Sequence, residues 1–588
     1  MKDKKWTVVL FLFISLALRA QELDSNIEKR LKLFFSEYTT SSINIGKCKL
    51  DSFVVDHSNK SLKIYADKRF AFQPFREETV LGIYRSIKQL LPGPSNYYNT
   101  TIWVNGKEIS DLIPNYYRSK KLDPYRITQA IDDTSSPWVS NQSNPYHFTR
   151  GLQDIHLSLW QSHGKYYAHK LNKWMWQRPY LFCTTEDLFT QSFVIPFLIP
   201  MLENAGAIVF TPRERDIQQN EVIVDNDIAN GSIFIKDDKR KQRWKDKNTI
   251  GFAQRKQTYE SGENPFLAGT SYTVNTKEKK AKALAQWVPT IPEDGKYAVY
   301  VTYQSYPNSI DDAQYMVFHK GNMTEFRVNQ KIGSGTWVYL GTFEFSKGNS
   351  IENMVVLTNH SKHKGVVSAD AVRFGGGMGN ITRGGVTSGL PRYLEGARYS
   401  AQWYGMPTDA YSSSSRANDY ADDMNARSNS INYLSGGSKL NPHSQGLNVP
   451  IQLNIALHTD AGYDRNDKII GTLGIHTNSA NQTFLGSGKD RISSRDLIDI
   501  IQTDLKRDIE ANFDVQWTRR SIWDSNYSET RLPDVPSVIL ELLSHQNFAD
   551  MRLGHDPYFK FTTSRSIYKS VLKYLSSQST KDYVVQPL

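Results

Sequence analysis

The feature that most constrains the fold is a change of pattern inside the chain: a long stretch of strands separates two stretches in which strands and helices alternate. Within residues 250–374, short alternating segments such as KYAVYVTY (296–303) and TWVYLGTFEF (336–345) follow one another with turns between them. Regularly spaced strands of this kind are typical of a β-sandwich. The flanking pattern is typical of an α/β domain. We therefore predict one α/β domain interrupted by an inserted sandwich, because insertions into loops are tolerated.

The predicted domain organisation begins with a separate N-terminal region. A polar stretch, DDTSSPWVSNQSNP (132–145), resembles a linker that follows it. The region mixes helical and strand-like runs, and its Asn105-Gly106 pair is typical of a type I′ hairpin, so we predict a small α+β domain. The predicted boundaries are 1–20 for a signal peptide, 21–130 for the α+β domain and 131–150 for the linker. An α/β catalytic domain, with a mixed sheet flanked by helices, is predicted in two parts, 151–228 and 379–588. The inserted β-sandwich is predicted for 229–378.

The N-terminus, MKDKKWTVVLFLFISLALRAQE, has three lysines, then an apolar run from Trp6 to Ala17 and a small residue at Ala20. This run is short for a membrane span, so we predict a secretory signal peptide and export to the periplasm, the cell envelope or the extracellular space. An uncleaved anchor is the alternative. No later stretch reaches ~18 consecutive apolar residues, so we predict no integral membrane segment after signal cleavage.

Cysteine content and charge bear on the compartment and the partner. Two cysteines, Cys48 and Cys183, do not make a disulfide scaffold in 588 residues, and we expect two separate buried thiols; a pairing of the two in an oxidising compartment is the alternative. The formal net charge of +11 favours an anionic polymer as partner. In an exported chain, cell wall or acidic polysaccharide is favoured over nucleic acid, which we do not expect. A basic surface without such a partner is the alternative.

Polar residues that suit a metal follow the apolar strands. His163 follows HLSLWQS, His458 follows LNIAL, and Glu541 follows VPSVIL, while Glu186 opens the helix predicted for 185–205. Ligands bind beyond the carboxyl ends of strands in α/β sheets, so these side chains can converge. Each one alone also has a structural interpretation, as a hydrogen-bonded histidine or a first-turn acid. Together, two His and one Glu can complete a zinc site with an open fourth position, and a further Glu can move protons.

The two α/β parts resemble the zinc-dependent N-acetylmuramoyl-L-alanine amidase family (the amidase_3 type), which cleaves peptidoglycan. The resemblance covers roughly 150–225 and 380–580 and rests on four motifs in the family's order: SHG with His163, Glu186 followed by Gly206 and FTPRERD, IALHTD with His458, and PSVILELLSHQNFAD with Glu541. It implies that His163, Glu186 and His458 bind Zn²⁺. It also implies that Glu541 is the catalytic carboxylate.

The sequence departs from the family beside these motifs. The replacements are WQS (160–162) for Asp-Pro-Gly before the first His, Thr459-Asp460 for Ala-Asn after the second, and Leu542-Leu543 for Gly-Phe after the last Glu. They alter the walls of the cleft, so they bear on the substrate more than on the metal. We take His476, His545 and Asp460 as candidates for contacts with substrate, and structural roles are the alternative for the two histidines.

The inserted block resembles the golvesin or xanthan-lyase-associated sandwich, through YTVNT, QWVPTIPEDGKYAVYVTY, GTWVYLGTFEF and VVSADAVRFGG. The resemblance implies carbohydrate binding, and a structural spacer is the alternative. The predicted function is therefore that of a secreted zinc-dependent hydrolase that cleaves the amide between N-acetylmuramic acid and L-alanine, with peptidoglycan or another cell-surface glycan as its partner. The alternatives are a polysaccharide lyase or other carbohydrate-active enzyme, and a non-catalytic cell-wall or glycan-binding protein.

Overall fold

The structure is a computed structural model of the 588-residue chain. It describes residues 21–40, 43–119, 122–128, 135–144, 151–228, 232–238, 243–478, 483–578 and 583–586. The predicted signal peptide, residues 1–20, lies outside the described residues, as does part of the predicted linker. Within the described ranges, no helix combines the length and the apolar character needed to cross a membrane.

The N-terminal region is a sheet of the order β1-β2-β3-β4 covered by helices. Its elements are α1 (residues 21–37), β1 (Leu50–Asp56), β2 (Ser61–Ala66), α2 (Glu77–Leu90), β3 (Asn99–Val104) and β4 (Lys107–Glu108). At the β3–β4 turn, Asn105 and Gly106 have φ of 49° and 75°, which is the left-handed pair that a type I′ hairpin requires. The mixture of α and β expected for this region is confirmed.

The next segment supplies strands to two different sheets. Its strands are β5 (Val139–Asn141), β6 (His156–Gln161), β7 (Tyr166–Ala168), β8 (Lys173–Met175) and β9 (Ile208–Phe210). The helix predicted for 185–205 forms as consecutive segments, which are α3 (Glu186–Phe189), α4 (Gln191–Phe193), a π-helical turn (Val194–Leu198) and α5 (Ile199–Asn204). Pro196 and Pro200 lack the amide hydrogen of a regular helix, which explains the interruption.

The described residues from β10 to β23 form strands and one short 3-10 helix, Pro265–Leu267. The strands are β10 (Val222–Val224), β11 (Ile233–Asp238), β12 (Lys245–Gly251), β13 (Gly269–Asn275), β14 (Ala283–Val288), β15 (Thr290–Ile291), β16 (Gly295–Val301), β17 (Ala313–His319), β18 (Asn322–Val328), β19 (Val338–Phe345), β20 (Gly348–Asn349), β21 (Met354–Thr358), β22 (Val366–Ala369) and β23 (Val372–Phe374). The main sheets have the orders β10-β23-β16-β19 and β11-β14-β21-β17-β18-β5. Strand β5 lies in the predicted linker, so the sandwich takes up a strand from outside its predicted bounds.

The last part of the chain completes a mixed sheet of the order β26-β25-β27-β24-β6-β9. Its elements are α6 (Ala397–Trp403), α7 (Thr408–Tyr411), α8 (Asp419–Ser435), β24 (Ile451–Asp460), β25 (Thr472–His476), α9 (Ile492–Asn512), β26 (Arg519–Asp524), α10 (Ser528–Arg531), β27 (Ser537–Ser544), α11 (Phe548–Gly554) and α12 (Pro557–Ser576). Strands β9, β6, β24 and β27 are parallel, and β25 runs antiparallel to β27. The sheet therefore joins strands from both predicted α/β parts.

Both faces of this sheet are covered. On one face, the alternating residues Leu453, Ile455 and Leu457 of β24 share a core with α9 and α12. The predicted apolar stripe of α9, with Leu497 and Ile501 among its members, is buried there. On the other face, Ala456 packs in a core that contains residues of α8 and of the sandwich. The protein is thus a β-rich assembly of sheets and helices, while the predicted domain boundaries stay predictions.

Both cysteines are free. Cys48 is buried in the N-terminal core, as expected. Cys183 is exposed, so the prediction of a buried thiol is wrong for this residue. The reason is local: Cys183 lies with a φ of 64° in a tight turn between the bridged residues Leu181 and Thr184.

Candidate metal centre

The pairing of β6 with β24 brings His163 and His458 together. In this parallel pair, Leu457 lies opposite Gln161. His458 follows Leu457 directly, and His163 lies two residues beyond Gln161, after Ser162 with its φ of 42°. The two imidazole rings are 4.9 Å apart, centroid to centroid. Strand β24 does not stop before His458, as the end of the apolar run had suggested, but continues to Asp460.

Glu186 completes a buried group of three potential ligands. It is the first residue of α3, and its Oε1 lies 3.0 Å from Nδ1 of His458 and 3.8 Å from Nδ1 of His163. One potential ligand atom from each of the three residues lies within 4.8 Å of those of the other two. The structure therefore brings together the three residues that the sequence predicts as metal ligands, although they come from three separate stretches of the chain.

The hydroxyl of Ser162 lies among these three atoms. Its Oγ donates to Oε1 of Glu186 at 2.6 Å. The same Oγ lies 2.9 Å from Nδ1 of His163 and 3.2 Å from Nδ1 of His458. Ser162 is fully buried, so this hydroxyl satisfies polar atoms that water does not reach.

The charges of the group follow from burial and from neighbouring ions. Burial, together with the positive charge of Arg427, holds the pKa of His163 well below its ordinary value. Burial also disfavours charge on His458, but Glu529 and Glu186 outweigh it and raise the pKa of His458 to about 10. The hydrogen bond and charge of His458 lower the pKa of Glu186 against the effect of burial. These shifts favour a neutral His163 beside an ion pair of His458 and Glu186.

Glu541 lies beside this group. It is the register partner of His458 in the parallel pair β24–β27. It occupies the interior of β27, which continues to Ser544, rather than the strand end that the sequence suggested. Its Oε2 has no hydrogen-bond partner among the described residues. Burial and the negative charge of neighbouring carboxylates, Glu186 foremost, raise the pKa of Glu541 to about 8.

Two residues near the group have no counterpart in the sequence predictions. Oε2 of Glu529 lies 2.9 Å from Nε2 of His458. Nε of Arg178 lies 3.5 Å from Oε2 of Glu186. Glu529 lies on the short helix α10 and Arg178 on a loop, so neither follows an apolar strand that would have marked it. Their proximity to the site arises from the tertiary fold alone.

Asp460 and His545, two of the candidates for contacts with substrate, lie near the group. Asp460 contributes to the raised pKa of Glu541, and its Oδ2 accepts a hydrogen bond from Arg520 at 2.6 Å. Nδ1 of His545 lies 3.4 Å from Oγ1 of Thr459. Their contact with substrate stays a prediction.

His476 is placed differently. It ends β25, and β25 runs antiparallel to β27, with Leu473 opposite Glu541 and Ile475 opposite Ile539. The carboxyl end of β25 therefore lies at the other edge of the sheet from the carboxyl ends of β24 and β27. There His476 lies near Asp524 and lines a small pocket with residues of the N-terminal region. This placement does not support a contact between His476 and a substrate at the metal centre.

The residues present fit a zinc ion. Zn²⁺ takes His nitrogens and carboxylate oxygens at ~2.1 Å, so two ligands of a tetrahedral site are ~3.4 Å apart. The observed separations of 3.0 and 3.8 Å from Oε1 of Glu186 to the two Nδ1 atoms bracket that value. Two histidines and one carboxylate also match the donor set of zinc sites that keep one position open. The fit requires the Ser162 hydroxyl to turn away from the ligand atoms and His458 to release the proton on Nδ1.

Comparison with known proteins identifies relatives of parts of the chain. Residues 246–376 match the family model of the Golvesin C-terminal domain. The xanthan lyase of Bacillus sp. (strain GL1) is 32% identical over 108 residues, which are 18% of this chain and 11% of that protein. The chain thus matches about a tenth of the length of this curated relative.

Solved structures share only partial likeness with the chain. A xanthan lyase of Paenibacillus has 25% sequence identity and a TM-score of 0.20, over 26% of this chain and 13% of that chain. An N-acetylmuramoyl-L-alanine amidase of Nostoc punctiforme has 14% identity and a TM-score of 0.18, over 22% of this chain and 60% of that chain. The amidase of Clostridium difficile 630 has 15% identity and a TM-score of 0.17, over 21% and 59%.

Proposed function

We propose that the protein is an exported, zinc-dependent hydrolase that cleaves the amide between N-acetylmuramic acid and L-alanine in peptidoglycan. The observation that carries the proposal is the convergence of His163, Glu186 and His458 on one buried point, with Glu541 next to them. The substrate is supported by the sequence motifs around these residues, which follow the order found in the amidase family.

The roles of the residues follow from their positions. His163, Glu186 and His458 would hold the metal, which would supply Lewis-acid chemistry: activation of a water molecule and polarisation of the scissile carbonyl. Glu541 takes the proton from the attacking water and passes it to the leaving amine. Its unpartnered Oε2 is available for that exchange.

The sandwich supports a second, broader part of the proposal. Its match to the Golvesin C-terminal domain, together with the similarity of the chain to a xanthan lyase, supports contact with carbohydrate. Among the described residues of 246–376, the exposed large apolar side chains are aliphatic, namely Ile250, Leu267, Met323 and Ile351. Sugar rings stack on aromatic faces in many proteins, and these residues do not offer such a face. The proposed glycan contact therefore rests on the similarity.

Digestion of purified sacculi tests the enzymatic proposal. The zinc-loaded protein is expected to release new L-alanine amino termini, detected by labelling free amines before acid hydrolysis. Removal of the metal with a chelator and restoration with Zn²⁺ are expected to abolish and to restore the release. The variant Glu541→Gln is the matched control, because it keeps the shape of the side chain and loses the proton-accepting carboxylate.

The rival functions give other results in the same experiment. A polysaccharide lyase leaves an unsaturated sugar that absorbs in the ultraviolet and has no need of His163 or His458. A binding protein sediments with sacculi and releases nothing, with or without metal. Either result, in the absence of new L-alanine termini, contradicts the amidase proposal.

A further inference from the structure

Both ring nitrogens of His458 face carboxylates. Nδ1 lies 3.0 Å from Oε1 of Glu186, on the side of the candidate metal site. Nε2 lies 2.9 Å from Oε2 of Glu529. The second contact is an ion-pair approach rather than a hydrogen bond of good geometry. The ring is thus held between a potential metal ligand and a second acid.

Glu529 is itself fixed in place. Its side chain is 10% exposed. Oε1 accepts a hydrogen bond from Nε1 of Trp160 at 3.2 Å and another from the guanidinium of Arg427. Trp160 lies on β6, three residues before His163, so the same strand supports both sides of the site. One oxygen of Glu529 is therefore occupied, and the other is directed at His458.

A histidine that binds a metal through one ring nitrogen commonly donates the other N–H to a carboxylate, which fixes the tautomer and the orientation of the ring. We propose that Glu529 is the positioning residue for His458: it keeps the proton on Nε2 and leaves Nδ1 as the nitrogen that binds the metal. This inference rests on the zinc site of the proposed function. It gives a role to a residue that lies outside the four motifs of that site.

A purely structural role for Glu529 is the competing explanation. Arg427 is 1% exposed, and its other nitrogen, Nη2, lies 2.5 Å from Oδ2 of Asp423. Loss of either acid leaves a buried guanidinium short of a partner. Asp423→Asn therefore weakens the pairing of the same arginine without touching the Glu529–His458 contact. It is the matched control for Glu529→Gln.

The experiment is a metal titration of the full-length protein after removal of bound metal. Wild type, Glu529→Gln, Asp423→Asn and His163→Ala are titrated with Zn²⁺ against a chromophoric chelator, and with Co²⁺ to record the visible spectrum of the site. We expect Zn²⁺ to bind Glu529→Gln about 10- to 100-fold more weakly than wild type, with a changed Co²⁺ spectrum. Asp423→Asn is expected to keep the wild-type affinity and spectrum.

Each other outcome overturns a specific statement. Equal affinities for wild type and Glu529→Gln, or equal losses in Glu529→Gln and Asp423→Asn, overturn the positioning role and leave the zinc site intact. If wild type binds no Zn²⁺, or if its affinity for Zn²⁺ equals that of His163→Ala, the zinc site and the role that depends on it are overturned. If Glu529→Gln does not fold, the ¹⁵N shifts of His458 in zinc-loaded wild type decide: metal on Nδ1 and a proton on Nε2 are expected, and the reverse overturns the role.

Discussion

His458 and Glu541 lie side by side as register partners in the parallel strands β24 and β27. Neighbouring strands are about 4.8 Å apart, and paired residues project to the same face of the sheet. Beyond this pair the register shifts, so that Thr459 faces Leu542 and Leu543 before Asp460 pairs with Ser544. The sheet itself thus fixes the distance between a potential metal ligand and a potential acid–base group, and the irregularity begins directly after them.

The first prediction concerns Glu541→Gln. We expect this variant to lose about 10²- to 10⁴-fold in the rate of amide cleavage, because the amide side chain cannot accept the proton of the attacking water. Zinc content is expected to equal that of wild type, since Glu541 is beside the ligands and not among them. Turnover on sacculi and metal analysis of the same preparation check both statements. A variant that lacks zinc would instead make Glu541 a ligand.

The second prediction concerns stabilisation by the metal. An ion that binds only the folded state stabilises it by about 2.7 kcal/mol at 100 times its Kd, so Zn²⁺ is expected to raise the Tm of the metal-free protein. His163→Ala is expected to abolish the rise, because the ligand set loses one of its two histidines. Differential scanning fluorimetry with and without Zn²⁺ measures the effect.

The control for this shift is His363→Ala. His363 lies with Asp311 and Asp312 in a second, more exposed group that has the composition of a metal site. Nζ of Lys331 lies 3.1 Å from Oδ2 of Asp311, so a cation there would compete with an existing ion pair. We expect His363→Ala to keep the zinc-dependent rise in Tm. If His363→Ala lost the zinc-dependent rise in Tm and His163→Ala kept it, the zinc would bind outside the centre of His163, Glu186 and His458.

The third prediction concerns Ser162→Gly. The hydroxyl of Ser162 contacts all three ligand atoms and must leave when a metal enters. A hydrogen bond contributes about 1 kcal/mol net, so its removal destabilises the metal-free state more than the metal-bound state. We expect Zn²⁺ to bind about 5- to 10-fold more tightly to the variant. Glycine is the suitable replacement because residue 162 has a φ of 42°. A weaker affinity would show that the hydroxyl is itself a ligand.

The elements of the fold were predictable where one local pattern decides the outcome. The apolar stripe with Leu497 and Ile501 predicts α9, and the Asn105-Gly106 pair predicts the hairpin of β3 and β4, because helical periodicity and left-handed turns are properties of neighbouring residues. The convergence of His163 and His458 was predictable from their places after apolar strands, and that of Glu186 from its place at the start of the following helix. The continuation of β24 through His458 was not, because a buried polar residue and a strand end look alike in one sequence.

Two features of the site depend on tertiary structure and carry no local signal. His476 follows an apolar run just as His458 does, but β25 is antiparallel to β27, and strand direction is set by connections and packing across the whole sheet. Glu529 lies in the short helix α10, where an acidic residue has no distinguishing context. Its carboxylate lies beside His458 because hydrogen bonds from Trp160 and Arg427 hold it there.

The last prediction concerns a buried acid outside the metal centre. Glu395 is 1% exposed, and burial raises its pKa to about 7 in spite of Ser388 and Arg392, which favour the charged form. The unfolded chain releases this proton near the ordinary glutamate pKa of 4.5, so between pH 4.5 and 7 the unfolded state binds fewer protons than the folded state. The free energy of unfolding therefore falls as the pH rises from about 4.5 to 7, by about 3 kcal/mol for this group.

Glu395→Gln stays neutral at every pH and is expected to raise the urea midpoint over wild type at pH 8 and to change it little near pH 4.5. Glu344→Gln, at a side chain that is 53% exposed, is the control and is expected to give no difference between the two pH values. Equal effects of Glu395→Gln at both pH values would show that the folded protein does not hold the Glu395 proton.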